Sequence, residues 1–312
     1  MKIPNRFTLL LILTVSLVLT GAVALNLPQK NVKPALHNYQ DAFLTGKLHF
    51  PTGKPQRIVS LSPNITEILF ALGVGDRIVG VTSYSDYPEE AKTKPFIGEY
   101  EAPDIEKIIA QKPDLVFASG EAKENQLLIL AQTGIPVAKV NPKSLPEIIA
   151  AIDLISVAVG EPERGAMLHE QFTSQMNMIE FQTSQLPTKR IFLEIWDVPL
   201  LTVGGKSFIN DIVLRAGGKN VAAKVDADYT PSNIEALYAY NPDIYVIVSH
   251  NHENARSFIN RSELANLSAV QNKQIFPIPA DILTRAGPRS FQALSQLAEI
   301  MHPEINRNGE KQ

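Results

Sequence analysis

Three groups of side chains in this 312-residue chain have types and spacings that could do chemistry. His250-Asn-His252-Glu253 sets two imidazoles two residues apart beside a carboxylate. Such a donor set could ligate a metal or meet the metal of a bound chelate; it could also be a hydrophilic loop, and no third ligand stands out. Asp281 and Arg285 lie four apart, a helical ion-pair spacing. They follow an apolar strand at 274–278 and precede Gly287-Pro288, which argues for a loop instead. Glu106 and Glu235 each fall in the first turn of an expected helix, where the macrodipole stabilises an acid by about 0.3–1 kcal/mol. Ser232-x-x-Glu235 also fits a capping box. There is no cysteine, so thiolate nucleophiles, disulfides and Cys-ligated metals are excluded. No nucleophile elbow, P-loop, G-x-G-x-x-G or His-Glu-x-x-His occurs either.

Groups of this kind need a scaffold, and the composition provides one. Hydrophobic residues make up 45% and charged residues 20%, with net charge −3, the profile of a soluble globular chain without a nucleic-acid footprint. Residues 1–24 differ: Lys2 and Arg6 precede a mostly apolar run from 7 to 18, then Ala22-Val-Ala24. This reads as a cleavable export signal, with an uncleaved anchor as the alternative. Residues 25–56 form a lead-in segment of scattered Pro, Lys and His.

From Arg57 the pattern becomes α/β. Expected strands lie at 57–61, 77–81, 115–118, 137–140, 190–195 and 244–248. Expected helices follow Asn64, a plausible N-cap with Glu67 at the capping-box position, and lie at 104–111, 208–215 and 234–240. Strands alternating with helices over short loops imply mostly parallel sheets. Asp104-IEKIIAQKPD-Leu115 and Asn233-IEALYAYNPD-Ile244 share five of ten inner positions at a constant offset of 129, which reads as two similar lobes. Between them, residues 145–159 and 163–184 are helical, the second spanning roughly 33 Å at 1.5 Å per residue. The expected layout is an N-terminal α/β lobe at 57–143, a helical connector at 144–188, a C-terminal α/β lobe at 189–305 and a tail at 306–312.

Arg57-IVSLSPNITEILFALG, Ser83-Tyr-Ser-Asp-Tyr-Pro88, Asp104-IEKIIAQKPDLV and Thr284-Arg-Ala-Gly-Pro-Arg289 resemble the vitamin B12-binding branch of the helical-backbone metal receptors, class III solute-binding proteins of ABC importers that also include ferric-siderophore and haem binders. The resemblance runs over about residues 57–302. It implies two α/β lobes joined by one long helix with the ligand in the cleft between them. It also implies a periplasmic location, a monomeric protein that is not an enzyme, and a permease dimer as partner. Without cysteine the chain cannot be a Cys-acylated lipoprotein. The transported ligand would be a corrinoid; a ferric siderophore or haem is the alternative, and no resident cofactor or metal is implied. A chelatase-like enzyme shares the topology and stands as a third reading.

The same resemblance gives residues their roles. Tyr84 would pack on a flat corrin-like ring, and Tyr100 stands where the branch has tryptophan. Ser119 replaces another aromatic and cannot stack. Trp196 and Tyr229 fall in loops that match cleft loops, and Asp281 and Arg285 match two polar ligand contacts. Glu106 and Glu235 match the acids that pair with importer arginines.

Overall fold

The computed structural model describes residues 53–120, 122–249 and 261–307. The signal-like segment, most of the lead-in, the His250/His252 pair and the end of the tail lie outside the described residues.

The first lobe is built on four strands, β1 (Ile58–Ser60), β2 (Ile78–Val81), β3 (Leu115–Ala118) and β4 (Val137–Lys139), in the order β2-β1-β3-β4. All pairings are parallel, and β1 and β3 are buried along their whole length. This is why they read as unbroken apolar runs: helices cover both faces of a parallel sheet. Helix α1 (Pro63–Ala71) follows β1. Its N-cap is Ser62, not Asn64, because Pro63 lacks an N–H and its fixed φ suits the first helical position. Asn64 and Glu67 are thus inside the helix and buried, and no capping box forms. Helices α2 (Ile105–Ala110) and α3 (Glu124–Gln132) complete the lobe.

Two helices lead out of it. In α4 (Leu145–Ala158) the Ser144 side chain caps the Glu147 N–H. The next helix, α5 (Pro162–Thr183), has 22 residues, about 33 Å of rise. A Cβ at Gly165 would lie 2.1 Å from the Ser156 Oγ, so glycine is what lets the two helices approach. One stripe of α5, Leu168, Phe172, Met176 and Ile179, is buried. Phe172 stacks on Phe291 at 4.3 Å between ring centroids.

The second lobe has a mixed six-stranded sheet. Its centre is β5 (Lys189–Asp197), joined by a hairpin to β6 (Leu200–Val203). Helix α6 (Phe208–Arg215) precedes β7 (Gly218–Asn220) and β8 (Tyr229–Pro231); α7 (Ile234–Tyr240) leads to β9 (Ile244–Ser249). Helix α8 (Ser268–Gln271), β10 (Ile275–Pro279), α9 (Ala280–Thr284), α10 (Ser290–Met301) and α11 (Glu304–Arg307) follow. The order is β10-β9-β5-β6-β8, with β7 also on β5. β7, β9 and β10 are joined by parallel pairings; the β5–β6 and β6–β8 pairings are antiparallel, so only β6 runs against the other strands. The architecture is two similar α/β lobes, mostly parallel, with one long connecting helix. Among the described residues, no helix is long and apolar enough to cross a membrane.

Candidate functional site

The carboxyl ends of the strands of both lobes open onto one cavity of about 510 Å³, where open α/β sheets place their ligands. Residues just beyond β1, β2, β3, β4 and β10, together with the end of β5, all reach its wall. Tyr84, Tyr100, Trp196, Tyr229, Asp281 and Arg285 all line it. The structure thus brings the six cleft residues expected from the sequence together, two from the first lobe and four from the second.

Tyr84 is held out toward solvent at 68% exposure with φ 66. A bulky residue in the left-handed region is a genuine outlier, costing of order 1–3 kcal/mol, and persists only where the surroundings enforce it. Here the next residue, Ser85, is buried and receives a hydrogen bond from the Thr66 hydroxyl of α1. Tyr100 is fixed through its backbone N–H, which donates to the Ser83 Oγ. A Cβ on Gly120 would lie 2.7 Å from the Tyr100 hydroxyl, so glycine leaves room for the ring. Trp196, half exposed, donates its indole N–H to the Val198 carbonyl at 3.1 Å. Ser119, where no ring can stack, is buried and accepts a hydrogen bond from Asn64. Asn64 also donates to the Ala286 carbonyl of the other lobe.

Asp281 and Arg285 do not sit in a loop. Asp281 is inside α9 and Arg285 is its C-cap, so the four-residue spacing makes an ion pair at 2.8 Å while both still face the cavity. A single helical turn after β10 was hidden by the nearby Gly287-Pro288.

Below them lies a charge network that the sequence reading missed. The buried Glu67 carboxylate accepts from Arg289 at 2.6 and 3.0 Å and lies 3.5 Å from Arg285. Arg285 also donates to Asp86 at 2.7 Å, and Arg289 stacks on the Tyr87 ring at 4.1 Å. These pairs tie the first lobe to the second. Burial raises the Glu67 carboxyl above its ordinary value despite both arginines. Burial pushes Asp86 the same way, yet the hydrogen bond and charge of Arg285 outweigh it and hold the carboxyl low. The signal in the sequence was a carboxylate among Ile65, Ile68 and Leu69 on the apolar stripe of α1, which must find a partner.

A larger cavity of about 770 Å³ lies beside α5 and shares no lining residue with the cleft; Glu67, Phe70, Tyr87, Phe172 and Arg289 border it. None of the expected site residues among those described borders it. His250 and His252 lie outside the described residues; among those, no cluster of three or more His, Cys, Asp or Glu is placed to hold a metal.

Glu106 and Glu235 stand at the second position of α2 and α7, exposed, and neither forms an ion pair among the described residues. Each helix is capped by the residue two before the acid. Asp104 accepts from the Lys107 N–H at 3.0 Å and Asn233 from the Ala236 N–H at 2.7 Å. The Ser232 capping box does not form, because Asn233 takes the N-cap place one residue later.

The periplasmic binding protein family model matches residues 58–282, through both sheets and the connector. An uncharacterized ABC transporter substrate-binding lipoprotein, YvrC of Bacillus subtilis, is 32% identical over 80% of this chain and 81% of its own. The periplasmic vitamin B12 binding protein BtuF of Vibrio cholerae superimposes with a TM-score of 0.71 at 29% identity, over 83% of this chain and 99% of that one. The periplasmic heme-binding protein RhuT of Roseiflexus sp. RS-1, in apo form, gives 0.72 at 28% identity, over 81% and 100%. These relatives are binding proteins and not enzymes. With two lobes, a long connector and a cavity at the facing strand ends, this chain belongs to the periplasmic binding protein family.

Proposed function

We propose that this protein captures a corrinoid in the cleft and delivers it to the membrane permease of an ABC importer, after export to the periplasm directed by residues 1–24. The observation that carries this reading is the convergence of five aromatic residues, Tyr84, Tyr100, Trp196, Phe208 and Tyr229, from both lobes, on one cavity. Aromatic rings bury a large area with few rotatable bonds, which suits the broad faces of a macrocycle. A corrinoid brings axial ligands for its own cobalt, so the protein need not supply one. Haem is the second reading. Tyr84, Tyr100 and Tyr229 put three phenols on the cavity wall, and tyrosine is an axial ligand for haem iron. Titration with cyanocobalamin and with hemin, followed by calorimetry and visible absorption, separates the two. Saturable binding of cyanocobalamin supports the corrinoid; a shifted Soret band with hemin and no heat from cyanocobalamin replaces it with haem.

Glu106 and Glu235 fit docking to a two-fold permease with one basic site on each subunit. Exposed ion pairs of this kind set orientation and on-rate more than affinity, and salt screens them. Replacing both by alanine should leave ligand affinity within about twofold, while most uptake is lost. Full uptake by the double variant, or equal loss of ligand binding, leaves the two acids as helix-terminus residues only.

A further inference from the structure

Among the described residues, both cations that line the cleft are already neutralised. Lys143 meets Asp228 at 3.1 Å, and Arg285 is gripped by Asp86, Asp281 and Glu67. Arg289, beneath, is held by Glu67 and lies 3.9 Å from Asp281. Around the cleft floor and rim, three cations therefore face four carboxylates among the described residues. Among the described residues, an incoming carboxylate finds no cation to itself. It would have to displace Asp228 from Lys143, or Asp86 or Asp281 from Arg285, or approach these acids as a like charge. Glu67 cannot yield, because it is buried and bound to Arg289 through both oxygens. A neutral amide meets no such obstacle: its N–H can donate to Asp281, whose side chain is 44% exposed.

We propose that the cleft selects a macrocyclic chelate whose edge is electroneutral, and rejects the same ring when its edge carries carboxylates. Asp86 and Glu67 are positioning residues that set this preference by occupying Arg285. The proposal rests on the reading that the aromatic cavity is the ligand site, and it deepens that reading from ring shape to edge charge.

The test compares ligands that share a ring and differ in edge charge. Dicyanocobinamide carries amides where dicyanocobyrinic acid carries carboxylates; hemin dimethyl ester stands in the same relation to hemin. In whichever pair binds, calorimetry should find the neutral member at least about tenfold tighter. Because an ester is also more apolar than an acid, the Asp86→Asn variant supplies the control. Removing one of the three carboxylates on Arg285 should narrow the neutral-to-anionic ratio at least about threefold, a change that general loosening of the fold would not produce. Equal or tighter binding of the acid by the native protein overturns the proposal. An Asp86→Asn variant that weakens both members alike removes Asp86 from it. If neither corrinoid binds but the haem ester outbinds hemin, the corrinoid reading falls and the charge selection stands. Failure to bind any of the four overturns both.

Discussion

The two lobes solve the same corner identically and the same interior differently. In the first lobe the Arg57 backbone N–H donates to Asp114 at 3.0 Å, and its guanidinium donates to the Gln111 and Lys112 carbonyls at the end of α2. In the second, the Arg190 N–H donates to Asp243 at 2.8 Å, and its guanidinium donates to the Tyr240 and Asn241 carbonyls at the end of α7. Lys112 and Asn241, at φ 49 and 39, make the same left-handed turn. Helix-end carbonyls lack intrahelical partners, and one arginine answers them in both lobes. Inside, the lobes part. Strand registers Ile58↔Leu115 and Ile191↔Ile244 place Leu61 opposite Glu194, and Val116 opposite Tyr245, in the comparison of lobes. Leu61 and Val116 belong to a hydrocarbon cluster. Glu194 is buried, accepts from the Tyr245 hydroxyl and pairs through both oxygens with Arg261 at 3.0 Å. The corner is dictated by backbone groups that must be satisfied. The interior demands only filled volume and satisfied polar atoms, so two chemistries serve.

The largest effect should come from breaking the polar interior. Arg261→Ala leaves the Glu194 carboxylate buried without its cation, and should cost about 3–5 kcal/mol in urea unfolding. Glu194→Leu, Tyr245→Phe and Arg261→Met together make the second lobe resemble the first, and should cost under about 1 kcal/mol or stabilise. A triple variant as unstable as the single one would show that the interiors are not interchangeable.

The cleft offers the next contrast. Tyr84 stands in a left-handed turn, whereas Tyr229 lies in the extended backbone of β8. Tyr84→Gly removes the ring and the strain together. Cyanocobalamin affinity should fall by about 1–3 kcal/mol, while the fold gains up to about 1 kcal/mol net of glycine's unfolded-state freedom. Tyr229→Ala should weaken binding comparably with no gain in stability. If calorimetry and thermal unfolding show both variants destabilised alike, Tyr84 is not strained for function.

These contrasts track what could be read in advance. The helices at 105–110 and 234–240, their turns and the strands after them were legible because each signal is local, an apolar period and a Pro-Asp turn; the cap was not, since Ser232 was read where Asn233 stands. The short strands β6 and β8 were not, since three or four residues of mixed burial show no period. Asn64 was misjudged as a cap because Pro63 shifts the helix start, and its side chain instead reaches the other lobe. Four of the cleft rings came from family resemblance, and all four line the cavity. The Glu67–Arg289 pair joins residues 222 apart, and no local pattern names such a partner. Only the cost of an unpaired carboxylate on an apolar helix face announces that one exists.

The smallest expected effect tests whether the matching helices are also energetically matched. Helices α2 and α7 have 6 and 7 residues, too short to persist on propensity. Each relies on one side-chain cap, Asp104 or Asn233. Removing either cap by alanine should cost about 1 kcal/mol. The informative change is the exchange of caps. Asp104 is charged and Asn233 is neutral, so the macrodipole favours the first lobe's cap by about 0.3–1 kcal/mol, an advantage that salt erodes. Asp104→Asn should therefore lose a few tenths of a kcal/mol at low ionic strength, and Asn233→Asp should gain about as much; near 1 M salt both differences should shrink toward zero. Glu106 and Glu235 share those first turns, and in the Asn233→Asp protein the Glu235 carboxylate opposes the gain by like-charge repulsion with the introduced acid. Urea unfolding of the Asn233→Asp protein with and without Glu235→Ala isolates that repulsion. A gain that appears only when Glu235 is removed would mean that a charged cap and the exposed acid oppose each other within that first turn, a conflict the neutral Asn233 avoids.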